Sequence, residues 1–242
     1  MAQQITFFQS ATGHNGGSFG QVVTSASAFG SNSVKGDVIF VAYAYWKSGG
    51  GQAMPSAITD SLGTSYYPLL KSTATDNGLL YVWWGVVPST GANTVSATVS
   101  GAGTVSTEIV AMEFSVSPNM GITGVNSAGN TNPLTSTPFS TPMLQGALNA
   151  GTETMLLSFY FDISTDDTPT NSGMTAVVYV KETVEMTVLG AGYVDSVGAV
   201  TEGSTLGSGT WSPGVSNYIN STMVMVALTP TGGGPHASTF VL

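Results

Sequence analysis

Short runs of Val, Ile, Thr, Tyr and Phe alternate along this chain with clusters of Gly, Ser, Asn, Asp and Pro. That is the rhythm of β-strands between turns. No stretch of a dozen residues places apolar positions at helical spacing with a polar opposite face. The 31 glycines and 11 prolines also disfavour helices. Two runs, Val38–Trp46 and Leu79–Val87, are apolar on both alternating faces, so each predicts a central strand covered on both sides. Both fall well short of the ~20 apolar residues that span a bilayer as a helix.

Asp76-Asn77-Gly78 precedes the second run, and Asn-Gly tolerates positive φ at both turn centres, so a hairpin should fold Tyr66–Leu70 back on Leu79–Val87. Between Ala92 and Ser100 the chain alternates cleanly, with Val95, Ala97 and Val99 facing in. Glu108–Val116 reads as a further strand with Val110, Met112 and Phe114 on one face. Residues 117–150 read as a long connection carrying one or two short strands. Thr154–Phe161 and Thr222–Thr229 are strands, and Met174–Val188 is a bent strand or a tight hairpin. Ser106-Thr107-Glu108-Ile109-Val110-Ala111-Met112 is echoed by Ser221-Thr222-Met223-Val224-Met225-Val226-Ala227. Two Greek-key halves would produce such an echo, and so would composition alone.

Charge then alters the picture. Charged residues are 7% of the 242, against about a quarter in ordinary soluble domains. The only cations are Lys35, Lys47, Lys71 and Lys181; there is no arginine and no cysteine, and the formal net charge is −9. Four scattered lysines cannot neutralise a run of phosphates, which excludes nucleic acid as a partner and argues against anionic membranes. Membrane insertion is not expected. Absence of cysteine excludes disulfides and thiolate metal sites. The opening residues lack the basic and long apolar segments of a secretory signal; either that pathway is not used or a signal has been removed. We expect one large domain over residues 1–229, then a Gly-rich joint and a strand-like tail over 230–242.

Few side chains suggest chemistry. Asp162, Asp166 and Asp167 crowd one loop and could hold Ca²⁺, although the glycine and distal glutamate of an EF-hand loop are missing, and a solvated turn is the competing reading. No other cofactor is expected. Asp60, in Thr59-Asp60-Ser61-Leu62-Gly63, suits a carboxylate that caps its own turn. Glu108, Glu113 and Glu182 interrupt strands; a pair of them at working distance could serve glycoside hydrolysis, but spacing brings no two together. Trp46, Tyr66 and Trp211 could form a sugar-stacking platform, with core packing as the alternative. Trp83 and Trp84 must point to opposite faces of one strand. His14 and His236 read as loop and tail residues.

Gly36-Asp37-Val38-Ile39-Phe40-Val41-Ala42, Ile58-Thr59-Asp60-Ser61-Leu62-Gly63-Thr64-Ser65-Tyr66, Leu80-Tyr81-Val82-Trp83-Trp84, Gly91-Ala92-Asn93-Thr94-Val95-Ser96-Ala97-Thr98-Val99 and Val110-Ala111-Met112-Glu113-Phe114-Ser115 together resemble jelly-roll β-sandwich domains of bacterial extracellular proteins and phage virion surface proteins. The resemblance spans most of residues 35–228. It implies an all-β, antiparallel, jelly-roll-like sandwich and marks a fold rather than an activity. Sheet margins are usually protected by Lys, Pro or bulges, and Lys is scarce here. The expectation is therefore a non-enzymatic structural component of a virion surface, a decoration or cement protein or a fibre subunit. Its partners would be its own copies and a capsid or tail protein. The tail Ser238-Thr239-Phe240-Val241-Leu242 would add to a neighbour's sheet. A carbohydrate-binding or adhesive extracellular module, with a glycan partner, is the first alternative, and a glycan-active enzyme the second.

Overall fold

Strand β2 (Val38–Lys47) organises the molecule, because it carries large apolar side chains on both faces and every residue from Val38 to Tyr45 is buried. A sheet built around it must be covered twice. The computed structural model describes residues 5–25, 28–47, 55, 57–73, 78–116, 120–129, 139–140, 153–163, 170–172, 175–182, 187–196, 210–212 and 218–230. In its first half the other strands are β1 (Ile5–Ser25), β3 (Ala57–Asp60), β4 (Tyr67–Thr73), β5 (Gly78–Val86) and β6 (Val95–Val116). In the second half come β7 (Met120–Gly129), β8 (Phe139–Ser140), β9 (Glu153–Ile163), β10 (Thr170–Ser172), β11 (Thr175–Glu182), β12 (Thr187–Ser196), β13 (Thr210–Ser212) and β14 (Tyr218–Pro230). Among the described residues there is no helix, and so none long and apolar enough to cross a membrane.

The protein is an all-β antiparallel sandwich. The first sheet runs β1-β6-β2-β5-β4, with β3 also on β6; the second runs β11-β12-β9-β14-β7, and β10-β13-β8 form a small third sheet. The two large sheets face each other nearly in order: β1 against β11, β6 against β11 and β12, β2 and β5 against β9, β4 against β7 and β14. Phe40, Leu80, Val82, Trp84, Met112 and Phe114 of the first sheet share one core with Leu157, Phe159, Phe161, Leu189 and Ala191 of the second. At one end Phe7 stacks on Tyr193 with ring centres 5.4 Å apart, and Phe114 meets Tyr193 edge-on at 5.8 Å. Aromatic pairs at such offsets add to the area they bury.

The outer face of the first sheet is covered by its own chain. Ile39, Val41, Tyr43, Tyr45, Leu79 and Trp83 cluster with Phe29, Ile58, Val95, Ala97 and Val99. Val95 follows the loop joined to Asp37 and Ser33, and Val116 ends beside the start of β2 as well. Strand β6 therefore doubles back on itself, and β1, paired along its whole length, turns with it. The bend falls where the chain has few side chains to crowd it: Gly16, Gly17 and Gly20 in β1, Gly101 and Gly103 in β6, with a register shift between Phe19 and Gln21. Trp83 and Trp84 consequently enter different cores, and both are buried.

Several expectations are met at element level. The Tyr67–Thr73 strand folds back on β5, with Thr73 opposite Leu79; of the span Met174–Val188, read as a bent strand or a hairpin, β11 is the first arm and its partner β12 runs on to Ser196. Others need correction. The Gly-rich, polar segment 5–25 is one long strand held by β6, and His14 is an exposed residue within it rather than a loop residue. Within 117–150, β7 is a ten-residue edge strand, because β14 supplies its whole ladder. Strands β1 to β6 build one large sheet and β7, β9, β11, β12 and β14 the other. The halves do share a connectivity, β1-β6-β2-β5-β4 matching β7-β14-β9-β12-β11. The two segments of the residue echo lie in the corresponding strands, β6 and β14.

Gly85 shows how closely the loops lie on β5. A Cβ there would come within 2.6 Å of Thr64 Cγ2 and 2.7 Å of the Ser65 carbonyl oxygen. Gly85→Ala should cost about 1–3 kcal/mol by overpacking against backbone. Urea unfolding should show a lowered midpoint at unchanged slope; an unchanged midpoint would mean the 64–65 segment does not seat on β5.

Candidate functional site

The polar groups that the fold gathers lie at two places. The larger gathering is at the end of the first sheet where β2 begins and β5 ends. Loops 28–37, 61–66 and 87–94 meet there and are stitched by backbone bonds: Phe29 N donates to Asn93 O, Ser33 and Gly91 exchange two bonds, Gly36 N donates to Val87 O, and Val87 N donates to Asp37 O. Gly36 and Gly63 have φ of 94° and 77°, the left-handed region that a residue without Cβ enters freely.

Asp37 and Glu113 form a buried carboxylate pair in this cap, 4% and 0% exposed. They are neighbours because Val38 pairs with Phe114, which places Asp37 and Glu113 on the same face of β2 and β6. Glu113 accepts from Gln9 Nε2 at 2.7 Å, Ser33 Oγ at 2.7 Å and the Val34 backbone N–H at 3.1 Å. Gln9 in turn holds Ser31 through both its amide atoms. Ser115 Oγ donates to Asp37 at 3.0 Å. Burial pushes the Asp37 carboxyl up to about 6; the Ser115 bond opposes that shift and the charge of Glu113 adds to it.

Asp60 closes the second knot of the same cap. Its Oδ1 accepts from the backbone N–H of Leu62 at 3.1 Å and of Thr64 at 2.9 Å; its Oδ2 accepts from Tyr66 Oη and Asn93 Nδ2, both at 3.0 Å. Burial works against its charge, yet the bonds from Thr64, Asn93 and Tyr66 outweigh that and hold the carboxyl below its ordinary value. Burial first and the charge of Asp60 next push the Tyr66 phenol far up.

The second place lies between the sheets at the opposite end. Glu108 is fully buried, and Ser106 Oγ donates to its Oε1 at 2.7 Å. Thr187 of the facing sheet donates to the same oxygen, and the two hydroxyls lie 2.6 Å apart. The second sheet is thus tied to the first by hydroxyl-to-carboxylate bonds. Burial first, then the charge of Glu108, push the Tyr43 phenol up.

Asp37, Glu108 and Glu113 are buried and Asp60 is half-buried, and each accepts hydrogen bonds from its own chain. Their chemistry is that of clamps: each fixes loop or sheet to its neighbour. Of the residues singled out from sequence, Asp60, Tyr66 and Glu113 lie in the cap and Glu108 in the cross-sheet tie at the opposite end; the others fall elsewhere. Trp46 is half-buried against the inter-sheet core at the far end of β2, opposite Gly78; Tyr66 sits beside Tyr67, which pairs with Trp84. Gly78 and Trp84 are six residues apart on one strand, about 20 Å, so Trp46 and Tyr66 share no platform, and the hydroxyl of Tyr66 is committed to Asp60. Trp211 lies in β13, opposite Phe139 and Asn171. Asp162 is in β9, opposite Val188 and Ile219. Asp166, Asp167, His236 and the tail 238–242 lie outside the described residues, and Glu182 is the last residue of β11.

The Asp37–Glu113 pair escapes a reading of the sequence because Glu113 alternates with Met112 and Phe114 and so looks like a solvent-facing residue. Only the folded-over outer layer buries it. Asp60 was legible, because the Asp-x-Leu-Gly-Thr spacing is that of a self-capped turn. Comparison with family models, curated proteins and solved structures finds no match, so the fold and the cap are read from this chain alone.

The two aspartates give opposite pH signs. A carboxyl raised to about 6 binds its proton more tightly in the folded state, so Asp37 lowers stability as pH rises from about 4 through 6. Asp60, held low, contributes stability that is lost as pH falls below the ordinary aspartate range. Melting temperature measured from pH 3 to 8 should flatten between pH 4 and 6 in Asp37→Asn, while Asp60→Asn should remove the acid-side loss. A wild-type profile level from pH 4 to 7 would overturn the Asp37 assignment.

Proposed function

We propose that this protein is a non-enzymatic structural surface protein of a virion, a decoration or cement protein or a fibre subunit, that assembles through its sheet margins. The supporting observation is the character of those margins. Strand β1 runs 21 residues at one edge of the first sheet without a Lys, Arg, Asp, Glu or Pro; β7 runs ten residues at an edge of the second sheet with none either. Charged residues and prolines are the usual guards of such edges. Because β1 lies over β11 and β4 over β7, the two uncharged strands are on opposite margins of the sandwich. Unlike margins on opposite sides suit head-to-tail contacts, which build rings or filaments. The virion setting itself comes from the sequence resemblance, with a capsid or tail protein as the further partner.

The carbohydrate-binding reading stands second, because the separation of Trp46 from Tyr66 gives it no common surface. The glycan-active reading stands third, because the carboxylate pair is occupied by its own loops.

Sedimentation velocity across micromolar to high-micromolar concentration tests the proposal. The native chain should form a defined oligomer. Phe8→Lys with His14→Lys, which adds two cations to the exposed part of β1, should shift it to monomer with little change in melting temperature. A native chain that sediments as a monomer throughout would sink the assembly reading.

A further inference from the structure

In the cap, one carboxylate oxygen holds two groups that can react with each other. Glu113 Oε2 accepts from Ser33 Oγ and from Gln9 Nε2, each at 2.7 Å. The first donor is an alcohol, and the second is the nitrogen of a carboxamide. Ser33 and Glu113 are fully buried, and Gln9 is half-buried.

The fold fixes all three. A bulge between Phe7 and Gln9 sets Gln9 opposite Glu113 across β1 and β6. Ser33 is anchored by its two backbone bonds to Gly91, and the Val34 N–H donates to Glu113 Oε1 at 3.1 Å. The carboxamide is oriented as well. Its Oε1 accepts from the Ser31 N–H at 2.9 Å, and its Nε2 donates to the Ser31 carbonyl at 3.2 Å. The amide nitrogen, the group that an attacking alcohol would displace, therefore faces the carboxylate. The amide oxygen faces a backbone donor.

We propose that Ser33 and Gln9 become joined by an ester within the chain, with Glu113 as the proton carrier. Ser33 Oγ bonds to Gln9 Cδ while its proton passes to the Glu113 carboxylate. The Cδ–Nε2 bond then breaks, and the same carboxyl returns the proton to Nε2, which leaves as ammonia. Glu113 ends as it began, and no oxidant, reductant or second substrate enters. Negative charge that builds on Gln9 Oε1 meets the Ser31 N–H, which is already aimed at it. Carboxamides are weak acyl donors in water, but groups held together by a folded chain react as though at very high concentration. Ammonia is protonated and diluted once it leaves, which draws the step forward. Each chain reacts once, so this is a self-modification and not a turnover. It ties residue 9 of the β1 margin covalently to the 28–37 loop. The inference does not depend on the assembly reading.

The intact mass of the full native chain, purified and held at neutral pH for days, tests it. The mass should fall below that of the sequence by one ammonia, about 17 Da. Chymotryptic cleavage after Phe19 and Phe29 should leave residues 9 and 33 on two peptides that stay joined. Ser33→Ala and Gln9→Leu should each keep the full mass. Glu113→Gln removes the carrier and should slow linkage at least about a hundred-fold; if it does not fold, the other two variants and the native chain decide. A native chain that stays at full mass overturns the proposal. So does an ammonia lost without joined peptides, as from Asn15-Gly16 or Asn77-Gly78, and so does a link that survives Ser33→Ala. Sedimentation is a separate readout, so a linked monomer supports the ester while contradicting assembly.

Discussion

Burying both faces of one sheet is the constraint from which the rest of the molecule follows. Strand β2 and its partner β5 present aromatic and aliphatic groups to either side, with Tyr43 and Tyr45 on one face and Phe40 and Ala44 on the other. Exposing either face would forfeit on the order of 1.5–3 kcal/mol for each large side chain. The second sheet covers one face. The other is covered by the doubled-back ribbon of β1 and β6 together with β3, which is why those two strands are so long and carry glycines at their bend.

Scarcity of cations shapes the interior in a second way. Thirteen acidic residues face four lysines, so buried carboxylates here cannot rely on ion pairs. Glu113 draws on a glutamine amide, a serine hydroxyl and a backbone N–H; Asp60 on two backbone N–H groups, a tyrosine and an asparagine; Glu108 on two hydroxyls. Hydrogen bonds to a charged group are worth more than neutral ones, and a buried charge lacking them is costly. The same Ser, Thr, Asn and Gln that replace charge on the surface therefore also satisfy charge inside. The cap and the cross-sheet tie are two uses of one chemistry.

A surface built this way has consequences at the margins. Uncharged edge strands are places where a chain with only four lysines has little to keep other segments away.

How much was legible depends on the range of the interaction involved. Alternation of apolar residues and the Asn-Gly turn are local signals, and they gave the β class, the two central strands, the β4–β5 hairpin and the inward row Val95, Ala97, Val99. The self-capping of Asp60 was local too, requiring only residues 60–64. Segment 5–25 was not legible as a strand, since nothing in its polar, Gly-rich sequence favours one until β6 supplies a ladder. Glu113 looked solvent-facing until a second layer closed over it, and Trp46 and Tyr66 looked like candidates for one surface until the strand register put them about 20 Å apart. By itself the sequence determined which segments extend and which turn, because backbone preference and burial alternation act within a few residues. The carboxylate pair and the folded ribbon were decided only by tertiary structure, because each is a meeting of residues distant in the chain.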